Sequence, residues 1–207
     1  MPALQHRGRW NDSAAIGLRL VKEKGVNEPI DGFERSPHRY GFGIELLLAG
    51  NVRPLRDPRD EKAAYGGKLT KWIANVDGVR RVGRLISEAM HDFLASGNVF
   101  VMPFRWYDPF PTLMHEAAAA GVPIAAAACG GITGFLDSGP EFSFADDPAD
   151  LNLLGSATAR SVDSPRARDG GGRWPGTRVE CEFDGSIVAG EIEHLYDGLR
   201  QPREAGK

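Results

Sequence analysis

Short apolar runs alternate with helix-forming segments along most of the chain, and this alternation restricts the possible folds strongly. The run 99–103 is apolar throughout, which is typical of a strand that is buried on both faces. Strands that are separated by helices favour a mostly parallel sheet with helices on both of its faces. The predicted strands are 15–21, 44–50, 79–83, 99–103, 124–128 and 142–144, and the predicted helices are 26–35, 68–74, 87–96, 112–121 and 187–199.

Several helix boundaries and faces follow from local chemistry. Ser87 is predicted to be an N-cap, because serine side chains accept hydrogen bonds from the first backbone N–H groups of a helix. Gly121, followed by Pro123, is predicted to end the helix that begins near Thr112. The inward-facing residues of these and the last helix are predicted to be Met90, Phe93 and Leu94, and then Ile187, Ile192, Leu195 and Tyr196.

Composition limits the kinds of ligand and the cellular compartment that we expect for this chain. A formal net charge of −3 gives no reason to expect a nucleic-acid ligand. No apolar run approaches the length of a membrane span, and the first residues lack the apolar region of a signal peptide. Two cysteines, Cys129 and Cys181, lie in different contexts and predict no disulfide framework. We therefore expect a protein of the reducing cytoplasm.

The chain divides into five predicted segments. We expect an N-terminal extension or interdomain linker at 1–14 and a Rossmann-like domain at 15–154. Residues 155–178 are rich in Gly, Ser and Arg, which predicts a flexible loop. A C-terminal helix is predicted at 179–200, and a frayed tail at 201–207.

Two carboxylates, Asp108 and Glu116, lie eight positions apart around the start of a predicted helix. Asp108 follows an apolar strand, in a loop that can expose backbone N–H groups. Glu116 lies in the Ala-rich helix after that loop. A strand end, a loop and a helix N-terminus together favour an anionic ligand. Without a ligand, Asp108 is a partner of the helix dipole and Glu116 is an ordinary helical carboxylate.

Two cations, Arg19 and Lys24, follow the first predicted strand. Arginine offers a planar fork to phosphate oxygens and lysine offers a compact charge, so the pair can straddle a diphosphate. Two solvated surface charges are the alternative, because most Lys and Arg side chains are exposed.

Seven segments, in the same order along the chain, resemble motifs of retaining glycosyltransferases with the GT-B fold, especially family 4. Residues 19–26 are similar to the Arg-to-Lys segment that opens the C-terminal domain of these enzymes, and residues 108–116 resemble their acidic-x7-acidic motif. The other matches are 46–50 with "LLLVG", 79–84 with "VRFLGR", 95–103 with "ASADVFVLPS", 129–132 with "VGGIPE" and 146–151 with "GDPEAL".

The resemblance implies a role for each candidate residue. It implies that Arg19 and Lys24 hold the donor diphosphate, and that Glu116 accepts hydrogen bonds from the ribose hydroxyls. Asp108 takes the position beside the transferred sugar, where the family usually has the longer Glu. The backbone at Phe110, Pro111 and Thr112 is implied to contact the sugar and phosphate, although Pro111 has no N–H to donate.

Several other residues resemble functional groups, and each has a structural interpretation. His115 has no neighbours at metal-ligand spacing and is predicted to be structural or exposed. Cys129 ends an apolar run and is predicted to be a small buried residue. Gly130 and Gly131 let backbone approach a ligand or simply make a turn. Gly134 stands where the family often has Glu, and Asp146-Asp147 lies in the match to a turn, so no metal site of the Asp-x-Asp type is expected.

We therefore expect one half of a GT-B enzyme, the donor-binding domain, with no cofactor beyond the nucleoside diphosphate sugar. The full enzyme is expected to transfer a hexose to a hydroxyl acceptor with retention, without a metal, and at most at a membrane surface. The isolated chain is expected to be inactive, because the GT-B N-terminal domain supplies most acceptor contacts. Two alternatives stay open: a non-catalytic module for nucleotide sugars or interactions, and a GT-B epimerase. The sequence does not reveal the base, the sugar or the acceptor.

Overall fold

Six parallel strands form one sheet in the order β3-β2-β1-β4-β5-β6. The computed structural model describes residues 13–17, 19–35, 45–52, 59–136, 143–145, 156 and 179–200. The strands are β1 (Ser13–Gly17), β2 (Glu45–Ala49), β3 (Val79–Gly83), β4 (Val99–Met102), β5 (Ile124–Ala127) and β6 (Ser143–Ala145). The predicted parallel sheet is confirmed.

Helices α1 (Asn27–Arg35), α2 (Glu61–Ile73), α3 (Glu88–Ser96), α4 (Thr112–Ala119) and α5 (Gly131–Leu136) connect the strands and cover both faces of the sheet. A sixth helix, α6 (Gly185–Arg200), follows the last strand. A single 3-10 turn at Lys22–Lys24 precedes α1. None of the helices within the described residues is both long and apolar enough to cross a membrane.

Alternate residues of each central strand enter different hydrophobic cores, because successive side chains of a strand point to opposite faces. Leu46 and Leu48 of β2 pack with Ile30 of α1 and Leu69 of α2. Leu47 packs on the other face, in the core that holds buried residues of α3, α4 and α5. Strands β4 and β5 are therefore apolar throughout, because both of their faces are covered.

The predicted first strand is displaced from the observed one. The sheet takes Ser13–Gly17, and by Arg19 the chain has left it. Leu20 is only 1% exposed although it lies in the following loop, and its N–H donates to the Asn51 carbonyl. An apolar loop residue that packs in the core therefore gave the appearance of a longer strand.

Helix α2 begins earlier than the predicted 68–74. Asp60 caps it, since its carboxylate accepts hydrogen bonds from the N–H groups of Lys62 and Ala63 at 3.1 and 3.2 Å. Ser87 does occupy the N-cap position of α3, but its side chain makes no capping hydrogen bond. Its φ of 47° is strained for a residue other than glycine.

One helix was not predicted, and one expectation about a helix was wrong. Helix α5 follows Gly130 directly, in a segment for which no helix was predicted. Helix α6 exists, but Ile187, Ile192, Leu195 and Tyr196 are 37–63% exposed rather than in contact with the core. The predictions for 1–12, 146–155, 157–178 and 201–207 concern segments outside the described residues.

Candidate functional site

The strand order reverses between β1 and β4, which lie side by side although two strands separate them along the chain. The loops that leave their carboxyl ends turn toward opposite faces of the sheet, and open α/β sheets bind ligands in the crevice that this creates. A cleft of about 800 Å³ lies here. Its charged lining consists of four cationic and two anionic side chains: Arg19, Lys24, Lys62, Arg84, Glu23 and Asp108. This balance favours an anionic ligand.

Gly25 places Lys24 against the end of β4. Its φ is 72°, in the left-handed region, and its N–H closes the 3-10 turn on the Lys22 carbonyl. A Cβ atom at this position would lie 1.7 Å from the carbonyl oxygen of Pro103. Only glycine meets both requirements, so the loop after β1 can lie directly against the loop after β4.

Lys24 and Asp108 form an ion pair at this junction. The Lys24 Nζ lies 2.7 Å from Asp108 Oδ2, and the two side chains are 16% and 22% exposed. The same Nζ lies 4.3 Å from the centre of the Phe104 ring, within the range of a cation–π interaction. Partial burial makes this pair stronger than a solvent-exposed one.

The second oxygen of Asp108 is also engaged. Oδ1 accepts a hydrogen bond of 3.3 Å from the N–H of Phe110, two residues ahead, which is the pattern of an Asx-turn. The carboxylate is thus held by its own loop on one side and by Lys24 on the other. The short side chain suits this turn, which gives a local reason for Asp where the family usually has Glu.

The glycine pair 130–131 holds the loop that carries Asp108. The Gly131 N–H donates to the Asp108 carbonyl at 2.8 Å, and a Cβ on Gly131 would lie 1.9 Å from the Pro109 carbonyl oxygen. A Cβ on Gly130 would lie 2.5 Å from the backbone carbonyl oxygen of Asp108. Cys129 is partly buried, and its Sγ donates a hydrogen bond of 3.4 Å to the Trp106 carbonyl oxygen. These glycines therefore admit another loop's backbone.

The structure brings three of the seven predicted site residues into one cleft. Arg19, Lys24 and Asp108 line it. The other four predicted site residues follow Asp108 in its loop and in helix α4, and they are not among the residues that line the cleft. Phe110 is 50% exposed, Pro111 is buried, and Thr112 and Glu116 are exposed. Leu113, one turn before Glu116 and on the same side of α4, does line the cleft, so Glu116 lies near its rim.

Lys62 and Trp106 are among the cleft residues that sequence reasoning missed. Lys62 lies in the first turn of α2, whose early start was not predicted; Asp60 as an N-cap was the signal that could have located it. Trp106 lines the cleft from the loop after β4 and is 57% exposed, with no local pattern that marks it.

His115 belongs to an aromatic cluster that consists of Phe110, His115, Phe135 and Phe183. The ring of Phe110 stacks on His115 with centroids 4.0 Å apart, and Phe183 lies 4.9 Å from His115 and 5.5 Å from Phe110. His115 is 9% exposed, and its Nδ1 is 3.3 Å from the Pro111 carbonyl oxygen. Its surroundings agree with the structural role predicted for it.

Tyr65 lies in α2, contacts α1 and is not among the residues that line the cleft. Its hydroxyl donates to Asn27 Oδ1 at 2.6 Å. Burial, followed by the nearby charges of Glu28 and Glu23, raises the pKa of Tyr65 to about 12. The phenol therefore stays protonated as a donor at physiological pH. Within the described residues, no three His, Cys, Asp or Glu side chains are grouped as metal ligands.

Comparison with known proteins identifies the family of this chain. The family model described as "Glycosyl transferases group 1" matches residues 14–155, which is well over half of the chain. The chain belongs to the group 1 glycosyltransferases. The resemblance inferred from its motifs is thereby confirmed.

Curated group 1 relatives are distant and longer. The chain is 27% identical over 198 residues to the capsular polysaccharide biosynthesis glycosyltransferase CapM of Staphylococcus aureus, covering 94% of this chain and 48% of CapM. It is 27% identical over 196 residues to a glycogen synthase of Mycobacterium tuberculosis, covering 89% and 43% of the two chains. The chain thus spans about half the length of these relatives.

Solved structures share the fold of this group 1 glycosyltransferase chain. Sucrose-phosphate synthase from Thermosynechococcus elongatus aligns with a TM-score of 0.73 and 26% identity over 91% of this chain and 45% of its own. Anabaena HepE, in complex with UDP and glucose, aligns with a TM-score of 0.75 and 16% identity, over 91% and 49%. The GT-B-like architecture predicted from sequence is confirmed.

Proposed function

We propose that the chain is the donor-binding half of a retaining glycosyltransferase that moves a hexose from a nucleoside diphosphate sugar to a hydroxyl acceptor. The observation that carries the proposal is the cationic cleft at the β1/β4 switch point, where Arg19 and Lys24 face Asp108. Membership of the group 1 glycosyltransferases and the UDP held by the similarly folded HepE support the choice of ligand.

Arg19 and Lys24 neutralise the diphosphate as it leaves. Charge develops on that group in the transition state, and a cation fixed beforehand in a partly closed cleft stabilises it. Lys24 carries three N–H donors, so it can keep one on Asp108 while the others meet phosphate oxygens. Because the two cations supply this stabilisation, we expect the reaction to need no metal ion.

Asp108 orients the sugar. Its carboxylate is fixed by Lys24 and by the Phe110 N–H, and a second lone pair on each oxygen can accept a sugar hydroxyl. Glu116, near the rim of the cleft, accepts the ribose hydroxyls. The backbone of Phe110, Pro111 and Thr112 lies beside the sugar and phosphate.

Nucleotide binding tests the donor site directly. We expect the 207-residue chain to bind UDP or GDP in the micromolar to millimolar range, about −4 to −8 kcal/mol, and to do so in EDTA. Lys24→Ala should weaken binding by about tenfold or more, because it removes a charged hydrogen-bond donor. Lys22→Ala is the matched control, since Lys22 lies in the same turn, is exposed and does not line the cleft.

The outcomes of calorimetry are distinct. Binding that Lys24→Ala weakens and Lys22→Ala leaves unchanged supports the assignment. No binding of any nucleoside diphosphate at millimolar concentration removes the donor-site proposal, and a strict need for magnesium or manganese removes its metal-free form.

Transfer is expected only with an acceptor-binding half, because this chain covers less than half of the two glycosyltransferase structures it resembles. Joined to a GT-B N-terminal domain, it should transfer sugar with retention, visible as the anomeric proton signal of the product. In that assembly Lys24→Ala should lower kcat by about 10² to 10³. Robust transfer by the 207 residues alone would contradict this part of the proposal, and nucleotide binding without transfer in any assembly would favour a non-catalytic module.

A further inference from the structure

We propose that Phe183 is a positioning residue that holds the sugar-side loop of the donor site from the C-terminal segment of the chain. This inference rests on the proposed function for its effect on ligands, but its structural part stands on ring geometry alone. Phe183 lies more than sixty positions beyond α4, yet its ring reaches the stack formed by Phe110 and His115.

The aromatic cluster has a buried base and an exposed edge. Phe135 is 4% exposed and His115 is 9% exposed, so these two rings belong to the core beneath the loop. Their centroids are 4.6 Å apart. Phe110 lies on the outer side of His115 and is 50% exposed. Contact with Phe183 is therefore a restraint on the exposed ring.

Phe183 is itself anchored. Its N–H donates to the Val179 carbonyl at 3.0 Å, which closes one helical turn, and both side chains pack against the core on this face of the sheet. Its ring lies 5.8 Å from Phe135 and 5.5 Å from Phe110, with tilted planes that suit aromatic pairs. One ring thus connects the buried base of the cluster to its exposed edge.

Movement of Phe110 reaches the carboxylate at the centre of the site. The Phe110 N–H donates to Asp108 Oδ1, and Asp108 Oδ2 meets Lys24. A shift of Phe110 therefore breaks or bends the turn that orients Asp108. Lys24 contacts Asp108, but Arg19 and Lys24 are both carried by the loop after β1, so a shift of Phe110 should weaken diphosphate contacts less than sugar contacts.

The test compares a nucleotide with its sugar conjugate. Phe183→Leu keeps an apolar side chain but removes the ring, so the chain should fold. Binding of UDP and GDP should change less than about twofold, whereas binding of UDP-glucose or GDP-mannose should weaken by about threefold to tenfold, the size of one or two aromatic contacts. Amide hydrogen exchange at Asp108 and Phe110 should accelerate. Phe183→Trp, which restores a ring, should recover most of both effects.

Tyr196→Leu is the matched control, since Tyr196 is an aromatic residue of α6 that is 60% exposed; it should change none of these quantities. Unchanged exchange at Asp108 and Phe110 in Phe183→Leu would overturn the inference, as would equal weakening of UDP and UDP-glucose, which marks a general structural role. If the wild-type chain binds no nucleotide, the donor-site proposal fails separately, and faster exchange at the two amides still supports the positioning role.

Discussion

Helices α4 and α6 are both apolar in sequence, yet their surroundings are opposite. Helix α4 has eight residues and buries Met114, His115, Ala117 and Ala118 against the sheet. Helix α6 has sixteen residues, and its described side chains are exposed throughout, with Leu195 at 63% and Leu199 at 73%. Apolar periodicity thus identified two helices but did not distinguish a covered face from an uncovered one.

The difference shows what holds each helix in place. Eight residues are too few for a helix that is stable by itself, so α4 depends on burial against the sheet. Its first turn carries Leu113 into the cleft, which ties the geometry of the site to the global fold. Helix α6 is longer, Asp184 caps its first turn, and none of its described side chains is buried, so it gains no packing energy from the sheet. Matched substitutions in the two regions should therefore have different sizes, and some should have opposite signs.

Truncation of a side chain gives the largest expected contrast. Met114→Ala removes a fully buried side chain and should lower the free energy of unfolding by about 3 kcal/mol, from lost transfer energy and the cavity left behind. Leu195→Ala should change it by less than about 0.5 kcal/mol. Urea denaturation followed by circular dichroism measures both values. Similar costs at the two positions would show that α6 is covered in solution.

The core strands could be predicted because burial on both faces leaves an unambiguous apolar run. The predicted 99–103 exceeds β4 and the predicted 124–128 exceeds β5 by one residue each, and every residue of these two strands is buried. Prediction failed where side-chain chemistry did not determine position: Leu20 is buried without being in a strand, and Ser87 occupies a cap position without capping. In each case tertiary packing decided the outcome.

The candidate site could be predicted only in part. Motif resemblance selected Arg19, Lys24 and Asp108, which the fold brings into one cleft. It did not reveal that Lys24 pairs with Asp108, because that contact depends on the close approach of two loops at Gly25. It also did not reveal Phe183, since nothing near that residue in the sequence indicates a contact with Phe110.

Adding a methyl group to a glycine should have opposite effects in the two regions. Gly131→Ala places a Cβ 1.9 Å from the Pro109 carbonyl oxygen, so the loop must shift, at a cost of about 1–3 kcal/mol. Because that loop carries Asp108, sugar-dependent donor binding should weaken as well. Gly190→Ala in α6 meets nothing within 4 Å and should stabilise the helix by about 0.5–1 kcal/mol. Thermal unfolding and calorimetry compare the two; a stabilising Gly131→Ala would contradict the close approach.

Removing the Tyr65 hydroxyl tests the hydrogen bond that joins α2 to α1. Tyr65→Phe loses the hydrogen bond to Asn27 and should cost about 1 kcal/mol at pH 7. The folded pKa of about 12 lies above the ordinary value of 10, so the native state holds its proton more tightly than the unfolded chain does. The wild-type advantage is therefore fully present below pH 10 and is lost as pH rises toward 12.

The pH dependence has an internal control. Tyr196→Phe, at an exposed site on α6, should leave stability within about 0.5 kcal/mol of the wild type at neutral pH. Unfolding in urea at pH 7, 9, 10 and 11 gives the difference between each variant and wild type. A constant difference for Tyr65→Phe across this range would contradict the raised pKa.

The smallest effect on global stability is expected at Asp184, one of two aspartate caps that accept the same kind of hydrogen bond in different settings. Asp60→Ala should cost about 1 kcal/mol of global stability, because α2 packs on the sheet.

Asp184 accepts hydrogen bonds from the Ser186 hydroxyl and N–H, and these lower its pKa below the usual 3.8. A lowered pKa means that the cap's contribution is present above pH 4 and is lost as pH falls through the folded value. Asp184→Ala should therefore speed amide exchange in the first turn of α6 at pH 6, leave global unfolding unchanged, and remove the further loosening that acid causes in the wild type. If Asp184→Ala instead lowered global stability as much as Asp60→Ala, α6 would be part of the cooperative core, and the contrast between the two helices would fail.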